Sequence, residues 1–136
     1  MSGVQVILSK LLASSDLTTV VPSARIVAGE IPEGTALPAL SVMLVSSVPR
    51  LNVRMAAGAR ETSTDRVQVS VLAKSYPQMR QIMRLVRAAC PHVRGTVDGI
   101  AVDSIIPELE GPDFFVEQLK VVGCTRDFRV VWSAAT

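Results

Sequence analysis

The sequence predicts an α+β domain in which a mainly antiparallel sheet of about four strands carries two helices packed on one face. Three observations predict it. Two separate segments, residues 3–14 and 75–90, place apolar side chains at helical spacing. Four others, residues 39–48, 67–71, 100–106 and 119–133, are strand-like, being β-branched or alternating in polarity. The order helix, strands, helix, strands favours one sheet with helices on one face, and the sequential strands favour antiparallel neighbours. A chain of 136 residues fits a single domain, 1–136, with a core of its own.

The first helix rests on Val4, Ile7, Leu8, Leu11 and Leu12, with Gln5, Ser9 and Lys10 elsewhere on the wheel. One lysine is too little charge for a membrane-surface helix, so this one is expected to pack on the domain. Residues 15–38 form a connection punctuated by Pro22, Gly29, Pro32, Gly34 and Pro38, in which Ala24 to Ala28 can add a short edge strand. Ala39 to Val48 is rich in Val, Leu and Met and is closed by Pro49. Arg50 to Thr64, with Gly58 and few apolar anchors, predicts a long loop or an extended hairpin arm. Val67, Val69 and Val71 then alternate with Arg66, Gln68 and Ser70, the period of a half-buried strand.

Ser75 and Gln78 form a capping box, Pro77 is tolerated in a first turn, and Pro91 ends the segment. Between them Met79, Ile82, Met83, Val86 and Cys90 make one apolar stripe, while Arg80, Arg84 and Arg87 line a different face. Gly95 and Gly99 flank a turn before the strand Ile100 to Ile106. Pro107 to Gln118, holding Gly111 and Pro112, predicts a second irregular segment. The last strand, Leu119 to Ser133, is expected to kink or bulge at Gly123, with Phe128, Val130 and Trp132 on one face.

Composition argues against most chemistry. His92 is the only histidine, and no nucleophile elbow, phosphate-binding glycine loop or metal-ligand spacing occurs. No enzyme activity, cofactor or metal is therefore expected. Cys90 and Cys124 form no CxxC pair and read as small buried hydrophobes in a reducing compartment. No segment reaches the roughly 20 apolar residues of a membrane span, and no membrane partner is expected. Charged residues are 19% of the chain against 49% hydrophobic. So few charges predict apolar surface left over after folding, which subunit contacts commonly use.

Charge is also asymmetric. Arg50, Arg54 and Arg60 populate the first irregular segment, and Glu108, Glu110, Asp113 and Glu117 the second. Such patches suit a head-to-tail contact between copies, which closes a ring when repeated round an axis. Phe114 and Phe115 are adjacent in the acidic segment, so that one can cover the domain while the other anchors a partner. Of these, Arg50, Arg54, Arg60, Glu108, Glu110, Asp113, Phe114 and Phe115 are the candidate subunit interface. Arg80, Arg84 and Arg87 are a candidate lumen-facing set for non-specific contact with DNA phosphates.

Four features recur in order along nearly the whole chain: the helix Val4 to Leu12; Arg25-Ile26-Val27 followed by Ala36-Leu37-Pro38-Ala39-Leu40-Ser41-Val42; the strand-to-helix run Arg66 to Tyr76; and the closing Asp127-Phe128-Arg129-Val130-Val131-Trp132. In this the sequence resembles the tail-completion, or tail-terminator, proteins of long-tailed bacteriophages, including the tail-to-head joining type. The resemblance implies a structural virion subunit, without cofactor, in a hexameric ring at the head-proximal end of the tail. Such a ring stops tube polymerisation and joins tail to head. It implies as partners further copies of the chain, the tail-tube protein, a head-completion or connector protein and DNA in transit, with assembly in the host cytoplasm. The alternative is a head-tail connector or neck subunit with DNA contacts in its lumen.

Overall fold

The computed structural model describes residues 3–50 and 60–135. The chain opens with α1 (Gly3–Ala13) and α2 (Ser15–Val20). The sequence predicts one helix here and a plain connection after it; the second helix is a correction. Its cause is local, because Ser14 accepts a hydrogen bond from the Leu17 amide at 3.3 Å and caps a new start. Leu17, fully buried, anchors the short helix. A 3-10 turn (Ser23–Arg25) leads into β1 (Ile26–Ala28), the edge strand expected in this region.

β2 (Ala39–Arg50) and β3 (Arg60–Ala73) follow, then α3 (Tyr76–Ala89). The cap forms, with the return bond of the box displaced by one residue to Lys74. Ser75 Oγ accepts from the Gln78 amide, and Gln78 Oε1 accepts from the Lys74 amide, both at 3.3 Å. The stripe Met79, Ile82, Met83, Val86 and Cys90 is buried as its spacing predicts. β4 (Gly95–Val97) and β5 (Ile100–Glu110) make a hairpin whose turn residues, Asp98 and Gly99, both have positive φ, as the primed two-residue turn requires. β6 (Phe114–Val116) and β7 (Val121–Ala135) complete the order.

Among the described residues the sheet has seven strands in the order β1-β2-β3-β7-β5-β4, with β6 also paired to β7. This corrects the expected four strands and two helices. β1 pairs parallel to β2, and the other pairings are antiparallel. The segment 107–118 is also corrected: β5 continues to Glu110 and β6 occupies 114–116. Pro107 is tolerated there because β5 lies near the sheet's edge. No register shift separates β3 and β7 at Gly123; the irregularities fall between β5 and β7, at Val102/Ser104 and Pro107/Glu110. Gly123 instead lies under the Phe114 ring, where a Cβ would meet that ring and the Val71 carbonyl oxygen at 2.8 Å.

The core forms between one sheet face and the helices. Val67, Val69, Val71, Phe128 and Val130 share it with Ile7, Leu11, Leu17, Met79 and Ile82. Each large side chain buried there contributes about 1.5–3 kcal/mol of transfer free energy. Trp132 packs at its border, on the same face as Phe128 and Val130. The other sheet face carries Arg66, Gln68, Asp127 and Arg129, and no described helix packs over it. No described helix is long and apolar enough to cross a membrane.

Candidate subunit-contact surfaces

Chemistry at the two thiols is disfavoured by their surroundings. Burial pushes the Cys90 thiol up to about 12, and raises that of Cys124, the opposite of what a nucleophilic thiolate needs. His92, two residues from Cys90, is exposed. No group of three or more metal-ligating side chains comes together among the described residues.

The expected acidic segment is largely engaged within its own subunit. Arg129 Nε donates to Glu108 Oε1 at 2.7 Å, which lowers the Glu108 pKa and raises that of Arg129. Arg80 Nη1 lies 3.1 Å from Glu110 Oε1 and 3.7 Å from Asp113 Oδ1. Arg126 Nη2 reaches Glu110 Oε2 at 3.3 Å. The Glu110 charge holds the Arg80 pKa up, and the Asp113 carboxylate raises that of the Tyr76 phenol. Glu117 is exposed and makes no ion pair among the described residues. The register shift between Pro107 and Glu110 sends the two glutamates to opposite faces, Glu108 to the open sheet face and Glu110 to the helical side.

The basic segment stands at the other end of the sheet. Arg50 pairs in register with Thr62, which faces Ser133, and Arg60 faces Ala135. Arg54 lies outside the described residues. Glu110 faces Arg126, which faces Val69 and then Val42. The levels of Arg50 and Glu110 therefore differ by eight residues along β2, roughly 26 Å at 3.3 Å per residue. A neighbour could join the two segments only if displaced along the strands by that distance. On α3, Arg80 is spent on Glu110 and Asp113, whereas Arg84 and Arg87 are exposed and unpaired among the described residues.

The surface also carries large apolar side chains. Met43, Leu44, Val45 and Val48 of β2 are exposed, and on the opposite side of the sheet so are Ile106, Leu109, Phe115 and Leu119. Both phenylalanines are exposed, Phe114 by 38%. Phe114 covers Gly123 and, with Ile31, Met43 and Leu72, lines a groove of about 490 Å³, while Phe115 is 60% exposed. A cluster of this kind is not visible from periodicity alone, because β2 loses its alternation at the register shift between Leu44 and Ser46.

The sequence model of one protein family, described as tail completion protein gp17, matches residues 5–106. No curated protein matches the chain. Among solved structures, a chain of the "Virion of native gene transfer agent (GTA) particle" has the same fold. Its TM-score is 0.67 at 14% identity, over 95% of this chain and 92% of that one.

Proposed function

Given that the chain belongs to the tail completion protein gp17 family, we propose that it is a ring-forming structural subunit at the head-proximal end of a phage-type tail, where it ends tube growth and joins tail to head. The observation that carries the ring is the pair of exposed apolar clusters on opposite sides of one sheet, Met43 to Val48 and Ile106 to Leu119. Two different patches on one subunit make a heterologous contact, and such contacts close into a ring when the rotation allows. Burial of those side chains supplies the association energy, and rim charges set orientation. The end of the sheet that holds the backbone of Arg50 and Arg60 then lies along the ring axis, toward the tube or the head-completion protein rather than a neighbour's Glu108 and Glu110. A hexamer is the expected ring size.

Loss of the chain tests this function. Particles assembled without it are expected to show tails of uncontrolled length, unjoined to heads. Normal tails on filled, joined heads would overturn the proposal. The second reading, DNA contact, is favoured by one observation, the unpaired and exposed Arg84 and Arg87. It predicts salt-dependent binding of duplex DNA to the assembled ring, lost in the Arg84→Ala, Arg87→Ala double variant. Unchanged binding in that variant would dismiss it.

A further inference from the structure

Resting on the ring reading, we propose that neighbouring subunits join through their backbones: the outer edge of β2, Met43 to Val48, pairs antiparallel with the outer edge of β5, Asp103 to Leu109, of the next copy. The sheets then run on as one continuous sheet around the ring.

Three features of the topology support this. The first is that both edges are open over matching stretches. Among the described residues β1 covers the outer edge of β2 only at Leu40, Ser41 and Val42, and β4 covers that of β5 only at Ile100, Ala101 and Val102. Beyond them the strands present unpaired N–H and C=O groups, a ready template for another strand. The second is position. Val42 shares its level with Glu110, Ser46 with Ile106 and Val48 with Ser104, read across β3 and β7. β1 thus stands at one end of its edge and β4 at the opposite end of the other, so the open windows coincide and neither short strand blocks the contact. The third is direction. β2, β3, β7 and β5 alternate strictly, and with an even number of them the β5 of one copy and the β2 of its rotated neighbour run antiparallel without any flip.

The side chains agree with the backbone. Between Met43 and Val48 no residue is charged, so this edge lacks the charges that usually keep strands apart. Across the join Ile106 and Leu109 would lie beside Met43, Val45 and Val48, all exposed in the isolated subunit. Two gaps are expected in the ladder, at Pro107, which has no N–H, and at the register shift between Leu44 and Ser46. The occupant is a second copy because one subunit carries both halves of the join at matching levels.

Disulfide trapping tests the join. Particles are assembled with Ser46→Cys together with Asp103→Cys, Ser104→Cys, Ile106→Cys or Leu109→Cys, one pair at a time, since strand tilt shifts the register by a few residues. The native Cys90 and Cys124 are buried and do not compete. After mild oxidation, at least one pair is expected to give covalent multimers of this chain up to ring size. Neither Ser46→Cys alone nor its combination with Arg84→Cys should do so. Val48→Cys replaces Ser46→Cys if the latter is poorly incorporated. If images show the ring but no pair cross-links, edge pairing is overturned and the ring stands. If no ring is seen, both fall. A cross-link from Ser46→Cys to another protein would give the β2 edge to that partner and overturn the proposal.

Discussion

Asp65 is a carboxylate in the polar first half of β3, yet it is 1% exposed. Three donors answer it: the Gly3 amide at 2.7 Å, Trp132 Nε1 at 2.8 Å and Ser47 Oγ at 2.5 Å. These contacts tie α1, β2 and β7 to one atom group, and Gly3 is required because a Cβ there would lie 2.9 Å from the Asp65 Cβ and 3.1 Å from that of Val130. Replacing Asp65 strands buried donors, and hydrogen bonds to a charged group are worth about 1.5–3 kcal/mol each but are not additive. Asp65→Ala is expected to lose about 2–4 kcal/mol in urea unfolding, and Trp132→Phe less; a loss under about 0.5 kcal/mol for Asp65→Ala would refute the role. Gly123→Ala should likewise destabilise by about 1–3 kcal/mol, because Phe114 and the Val71 carbonyl leave no room. Sequence reading could not find Asp65, since its three donors come from residues 18 to 67 positions away.

At the scale of elements, two glutamates of β5 separate by environment. Glu108 and Arg129 are partly exposed, with 26% and 47% of their side chains open, so solvent screens their pair. Arg126 is 14% exposed with its Nε unpartnered, so Glu110 is its main compensation. Glu110→Gln is therefore expected to destabilise by about 1–3 kcal/mol and Glu108→Gln by less, measured by thermal or urea unfolding. The pH dependence has a definite sign. The Glu108 pKa is lowered in the fold, so its contribution is full above the ordinary glutamate value of about 4.3 and is lost as pH falls through the lower folded value. The difference between wild type and Glu108→Gln should shrink over that range; a difference that grows on acidification would contradict it. The helices were legible because capping and a 3.6-residue stripe are local, as Ser75, Gln78 and Met79 to Cys90 demonstrate. β6 and the end of β5 were not, because Pro107, Gly111 and Pro112 are turn signals and the ladder that overrides them is supplied by β7, distant in sequence. For the same reason the acidic residues read as a free patch, although Arg80, Arg126 and Arg129 pair with them.

At the scale of the whole molecule, membership of the tail completion family supports the proposed role as a subunit of an assembly. Low charge content made leftover apolar surface predictable, but its division into two clusters on opposite sides of the sheet depends on strand order, which no single segment encodes. A ring built from that surface should be held mainly by apolar and backbone contacts, so it is expected to survive 1 M salt, where surface ion pairs are screened within about 3 Å. Dissociation by salt alone would return the interface to the charged segments. The most direct test of the central claim is a cryo-electron-microscopy reconstruction of the head–tail junction of particles containing this chain. The expected result is one closed ring of this chain, of six copies, at the head-proximal end of the tube with its subunits in side-by-side contact through β2 and β5. Density for the chain elsewhere in the particle, or as separated copies that do not touch, would contradict it.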